Sequence, residues 1–120
     1  MTTQEIANRL VELCREGKNI QAIDELYADN VMSKEPKEHP FELIEGKETV
    51  KERTREWEQS VVEIHNAYIS DPIITENHFA IVMDIDATYK ERGRARLGEI
   101  CVYEVKNEKI VYDEFFYKMG

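Results

Sequence analysis

The chain has 120 residues, 42% of them hydrophobic, enough for one compact α+β domain that buries roughly two-thirds of its unfolded surface. Its 25 acidic and 16 basic residues leave a net charge of −9, which argues against a phosphate backbone or an anionic membrane as partner and leaves small molecules and protein surfaces. No apolar run approaches the roughly 20 residues of a bilayer span. Met1 to Glu16 is interrupted by Glu5, Arg9 and Glu12, unlike a secretory signal, so a cytoplasmic location is expected. Cys14 and Cys101 are too few for a disulfide framework and read as buried thiols.

Thr2 and Glu5 match a capping box, and Ile6, Leu10, Leu13 and Cys14 repeat at helical spacing until Gly17. A second helix, with Asn19 as its cap, carries Ile20, Ile23, Leu26 and Tyr27 and is expected to end near Asp29 and Asn30. Residues 33–46 hold two of the three prolines and many charges, which suits an extended surface loop placed to cover a pocket mouth. Val50, Thr54, Trp57 and Val61 then mark a longer amphipathic helix starting at Lys47. Beyond Ile64, β-branched and aromatic residues alternate in runs near 64–71, 73–75, 78–89, 94–105 and 110–118, an antiparallel meander. Helices followed by strands predict three helices packed on one face of a curved sheet.

The strand pairing decides which side chains share a face. A first hairpin turning about residues 91 and 92 sets Met83 against Ile100, Ile81 against Val102 and Asp84 against Glu99, apolar opposite apolar. A two-residue turn at Asn107 and Glu108 sets Cys101 against Glu114 and Tyr103 against Tyr112. Asp84, Asp86, Glu99 and Glu114 then share one face with Cys101, Tyr103, Tyr112 and Phe116, and the opposite face, from Ile81 and Met83 to Phe115 and Tyr117, is apolar or aromatic apart from Glu104 and Asp113. Neither is a plain solvent face. The expected solution puts the acidic face under the helices, around a pocket, and buries the other against a second copy in a homodimer.

This order of elements ends in GEICVYEVKNEKIVYDEFFYK and includes Tyr27-Ala28-Asp29-Asn30-Val31, Gly46-Lys47-Glu48, Lys109-Ile110-Val111 and Phe115-Phe116-Tyr117. With those pieces it resembles the SnoaL-like branch of the nuclear transport factor 2-like, or ketosteroid isomerase-like, superfamily. The resemblance implies a cystatin-like, cone-shaped barrel around a central cavity and frequent homodimers. The implied functions range over isomerases, epoxide hydrolases, polyketide cyclases and noncatalytic binding modules. It also sets Glu114 where the superfamily's epoxide hydrolases carry an acid on the last strand, and Asp86 or Asp84 near their acid on the preceding long strand. Asp84 stands where their Asp-Arg-Asp pattern has its arginine, which counts against epoxide hydrolysis. A fold of this kind implies a pocket rather than one reaction.

Burial of the opposed Asp84 and Glu99 would raise at least one pKa and leave a protonated donor beside an ionised base, the pairing acid–base catalysis needs. Glu114, Asp84, Glu99 and Asp86 are the candidate catalytic residues, with Glu114 foremost. Tyr27, Trp57, Cys101, Tyr103, Tyr112 and Phe116 are the candidate ligand-binding residues. The bland alternatives are acids at a rim with Arg92, Arg94 and Arg96 as counter-ions, and Trp57 and Cys101 as packing. His39, His65 and His78 read as structural or exposed. No metal is expected, since no His-x-His, His-Glu-x-x-His or Cys-x-x-Cys spacing occurs, and no cofactor, since no glycine-rich phosphate loop occurs. The expected function is acid–base isomerisation, cyclisation or hydration of a small hydrophobic molecule. The alternative is a noncatalytic ligand-binding or protein-interaction module.

Overall fold

In the computed structural model, which describes residues 1–118, helices cover one face of a strongly curved sheet. Helix α1 (Thr3–Arg15) begins at the expected capping box: Glu5 N–H donates to Thr2 Oγ1 at 3.1 Å and Thr2 N–H to Glu5 Oε1 at 2.7 Å. It ends in a Schellman motif. Gly17 takes a φ of +75°, Lys18 N–H donates to the Leu13 carbonyl at 2.8 Å and Gly17 N–H to that of Cys14 at 3.0 Å. Helix α2 (Asn19–Leu26) starts on Asn19 itself, with no side-chain cap. Its expected extension to Asp29 is replaced by strand β1 (Tyr27–Lys34), because Tyr27, Val31 and Ser33 are buried in the sheet and that pairing overrides local helix preference. The stretch expected as loop holds β2 (Leu43–Glu45), antiparallel to β1, so only residues 35–42 remain irregular. Helix α3 (Lys47–Ser60) follows as expected.

The remaining strands are β3 (Val61–Ile69), β4 (Ile73–Ile74), β5 (His78–Tyr89), β6 (Gly93–Lys106) and β7 (Lys109–Phe116). The sheet order is β2-β1-β7-β6-β5-β3, with β4 added to β5. Among the described residues only β1 and β7 run parallel. Ile6, Leu10 and Leu13 of α1 with Ile23 and Leu26 of α2 pack on Phe79, Ile81, Cys101 and Tyr103, so the core lies between the helices and the concave face. No described helix is long and apolar enough to cross a membrane.

Both expected registers change, each for a local reason. The first hairpin closes through three residues, 90–92, and sets Tyr89 against Gly93, whose φ is +75°. Ile81 therefore opposes Cys101, Met83 opposes Glu99 and Asp84 opposes Gly98. The second hairpin does turn through Asn107 and Glu108, with φ of 53° and 62°, and Lys106 does oppose Lys109. A bulge in β7 at Val111, opposite Glu104 and Val105, then slips the pairing by one, so Tyr103 opposes Asp113 and Cys101 opposes Phe115.

A one-residue slip moves every side chain of a strand to the other face. Strand β6 keeps its expected orientation, with Glu99, Cys101 and Tyr103 inward, while β5 and β7 are reversed. Ile81, Met83, Asp113 and Phe115 join the inner face; Asp84, Asp86, Tyr112, Glu114 and Phe116 move to the outer one. The acids expected on one face are thus divided between two.

Candidate functional site

The helix-covered face of the sheet holds a polar cluster where β1, β7 and β6 lie side by side. Asp113 is completely buried, opposite Tyr103 on one side and level with Ser33 on the other. Its Oδ2 accepts the Tyr27 hydroxyl at 2.5 Å. Its Oδ1 is buried without a hydrogen-bond partner among the described residues, although the Ser33 hydroxyl lies near enough to favour the charged form. Burial outweighs both polar neighbours and lifts the Asp113 carboxyl to about 6. The same burial pushes the Tyr27 phenol well above its ordinary value, with the Asp113 charge adding to it.

Glu99 lies towards the open end of the same face. Its carboxyl is largely buried, next to the Cys101 thiol at 3.6 Å, and burial with the charges of Glu35 and Asp113 raises it to about 7. Glu35, just past the end of β1, accepts the Tyr117 hydroxyl at 2.7 Å. Met83 and Phe115 flank this end, partly buried against the core. An open groove of about 390 Å³ between residues 34–37 and 114–117 adjoins Glu35 and Tyr117.

The chemistry available here is proton transfer. An acid raised to about 7 is populated in both protonation states at neutral pH and so can take or give a proton. The Cys101 thiol is pushed upward by burial and by Glu99, which makes it a poor nucleophile. No group of three or more metal-ligating side chains occurs among the described residues.

Of the candidate acids, only Glu99 stands in this cluster. Arg96 holds Asp84 in a two-pronged bond at 2.8 and 3.0 Å, Arg94 holds Asp86 at 3.1 and 2.9 Å, and each hydrogen-bonded guanidinium keeps its carboxyl below the usual range. Both pairs lie on the outer face, the counter-ion arrangement that the bland reading described. Glu114 is also outward and accepts the Tyr112 hydroxyl at 2.7 Å. Phe116 is 49% exposed beside it on that face. Among the aromatic candidates, Tyr27 and Tyr103 stand with Asp113, and Tyr103 stacks on Phe79 with centroids 4.6 Å apart. Trp57 packs edge-on against Tyr89, centroids 6.4 Å apart, away from the carboxylates.

Asp113, Glu35, Ser33 and Tyr117 were not among the residues singled out from the sequence. For Asp113 the signal was present: it stood as an acidic exception on a face read as mostly apolar, and an acid forced into such a stripe is a candidate polar site. For Glu35 no signal existed, since it sits in a charged segment that read as loop.

Residues 1–117 match the family described as SnoaL-like domain. A protein from Mesorhizobium loti, provisionally named a SnoaL-like polyketide cyclase and also a carbohydrate phosphatase, is 33% identical and superposes with a TM-score of 0.91 over 98% of this chain and 100% of that one. A cystatin-like fold protein from Xanthomonas campestris superposes at 0.81 with 15% identity over 99% and 92% of the two chains. An NTF2-like protein from Burkholderia pseudomallei does so at 0.77 with 15% identity over 98% and 92%. At those identities the last two speak to the fold alone. No curated protein matches the chain.

Proposed function

Because the chain belongs to the SnoaL-like family, we propose that it is an acid–base pocket protein acting on a small, largely apolar molecule by isomerisation, cyclisation or hydration. The observation that carries this reading is Glu99, an inward, largely buried carboxyl beside the Cys101 thiol that is raised to about 7. As the carboxylate it removes a proton from an activated carbon or an incoming water, and as the acid it returns one to a developing oxyanion. Proton transfer by a positioned group of matched pKa is worth about 10²- to 10⁴-fold in rate. Beneath it, Asp113 is a positioning residue that holds the Tyr27 phenol in place. The polyketide-cyclase name of the Mesorhizobium loti relative agrees with chemistry of this class.

The test needs no knowledge of the natural substrate. A panel of enolisable ketones is incubated in D₂O and α-proton exchange followed by NMR. Acceleration by the wild-type protein that falls at least about 100-fold in Glu99→Gln supports the reading; no acceleration with any ketone, or equal acceleration by the variant, counts against it.

A noncatalytic binding module is the second reading, favoured by one observation. Asp113, Cys101, Tyr103 and Phe79 are between 0% and 2% exposed, so the deepest part of the cone is filled by its own side chains. Binding without exchange in the same assay would select this reading.

The outer face supports a homodimer as the proposed assembly. Val82, Ile100 and Phe116 lie side by side across three strands at 39%, 51% and 49% exposure, with Tyr68 beside them, and the two Asp–Arg pairs border the patch. A second copy related by a two-fold axis would meet apolar with apolar and offer each pair the opposite charges of its equivalent.

A further inference from the structure

We propose that the hydrogen bond from the Tyr117 hydroxyl to Glu35 is a latch that closes the way from the adjoining groove to Glu99. The inference rests on the acid–base reading in taking Glu99 as the group enclosed, and adds how that group is reached. The groove of about 390 Å³ is lined by Glu35 and Tyr117 but not by Glu99, whose carboxyl is largely buried beside Cys101. An acid that exchanges protons with a ligand must be uncovered at some point in each cycle, and such openings draw on the least firmly anchored part of a fold.

The two ends of the latch stand on opposite walls. One wall is the end of β1 with the segment after it, the other is the end of β7 with Tyr117, and the 2.7 Å bond spans the groove between them. Among the described residues no other side-chain hydrogen bond joins these walls: Glu42 accepts the Glu38 N–H at 3.3 Å, and Glu114 accepts the Tyr112 hydroxyl. Glu99 stands behind the bond. Cys101 opposes Phe115 and Ile100 opposes Phe116, so the next step along the two strands sets Tyr117 against Glu99. The alternation that turns Asp113 and Phe115 inward does the same for Tyr117. Burial, the bond to Glu35 and the charges of Glu35 and Glu99 all push the Tyr117 phenol upward, as befits a ring standing between two acids.

The wall that carries Glu35 is built to move as a unit. Residues 35–42 bond to one another: Glu35 N–H to the Glu42 carbonyl at 2.8 Å, His39 N–H to that of Pro36 at 3.1 Å and Phe41 N–H to His39 Nδ1 at 2.9 Å. Within the segment Glu38 holds a φ of +77°, a conformation a side chain disfavours. Beyond the latch, the segment is held by the Arg53 guanidinium, 4.0 Å from the centre of the Phe41 ring, and Phe41 is still 46% exposed. Bonds internal to the segment survive its displacement, so releasing Tyr117 lets this wall swing from the groove without unfolding the sheet. The opening leads to Glu99 and, 3.6 Å further, to the Cys101 thiol, which is 0% exposed in the closed state and so reports the event.

The experiment labels the native protein with N-ethylmaleimide at pH 8 and follows Cys101 by peptide mass spectrometry, with Cys14 in the same sample as reference. Tyr117→Phe should label Cys101 at least about fivefold faster than wild type, the weight of one hydrogen bond to a charged group, with Cys14 unchanged. Glu35→Ala should match it, and Glu35→Gln, which keeps an acceptor, should lie nearer wild type. The double variant should be no faster than either single one, since both break the same bond. Tyr112→Phe, which removes the tyrosine–glutamate bond of the outer face, should leave the rate unchanged. Low concentrations of urea should change the rate little, as they do for a local opening. Cys101 labelling at the wild-type rate in both Tyr117→Phe and Glu35→Ala overturns the latch. So does an acceleration shared by Cys14 or by Tyr112→Phe, or a urea dependence that follows global unfolding. Thiol labelling involves no proton transfer to a ligand, so its failure is distinct from failure of the ketone-exchange assay.

Discussion

The Tyr27 hydroxyl and Asp113 Oδ2 lie 2.5 Å apart although 86 residues separate them in the chain. Tyr27 is the first residue of β1 and Asp113 lies midway along β7, and the parallel pairing of those two strands is what brings the phenol to the acid. Among the described residues their bond is the one side-chain hydrogen bond between two fully buried groups.

Asp113 should leave a pH signature in stability. Its carboxyl rises from an ordinary 3.8 to about 6, so between those values the folded state keeps a proton that the unfolded chain has lost. The stability tied to that proton is fully present below the unfolded pKa and lost as pH climbs through the folded one, a change of about 3 kcal/mol. Relative to wild type, Asp113→Asn should therefore gain stability as pH goes from 4 to 7. Urea unfolding at both pH values measures the difference, and parallel pH profiles for the two proteins would refute it.

Glu99 should govern catalysis and Glu114 should not. For any substrate turned over, Glu99→Gln should lower kcat/KM by about 10²-fold or more and remove the limb of the pH–rate profile near 7. Glu114→Gln, changed on the outer face, should stay within about threefold of wild type, since it alters one half-buried hydrogen bond from the Tyr112 hydroxyl on the face opposite Glu99. Loss of turnover in Glu114→Gln with Glu99→Gln unaffected would reverse the assignment.

Assembly offers a third check. Sedimentation at micromolar concentration should report about twice 14.1 kDa. Ile100→Glu, placed in the middle of the apolar strip, should give a folded monomer with unchanged far-UV circular dichroism. A monomeric wild type would remove the proposed partner.

Gly17 isolates a purely local term. Its φ is +75° and nothing lies within 4 Å of where a Cβ would stand, so Gly17→Ala meets backbone strain without a clash. The expected cost is about 1 kcal/mol, read as a lower urea midpoint with an unchanged slope. No loss would mean that the turn tolerates another conformation.

The pairing read from the sequence placed Glu99, Cys101 and Tyr103 on the inner face, where the structure has them, and placed Asp84, Asp86 and Glu114 there too, whereas the structure turns those three outward. The division follows the strands. Strand β6 was oriented correctly, and its neighbours were reversed by the three-residue turn 90–92 and by a bulge in β7 at Val111. Both faces of β7 mix apolar and charged residues, so alternation weighed too little there, while in β5, whose one face is free of charge, the length of the turn decided the register.

Local chemistry was enough to determine the capped first helix, the positions of the long strands, the Asn107–Glu108 turn and the α+β class, because each depends on residues near one another in the chain. Which acid is buried, which is neutralised by arginine and which meets Tyr27 was decided only by tertiary structure. Those outcomes turn on single-residue offsets between strands, and such offsets are set by the packing of the whole sheet against its helices.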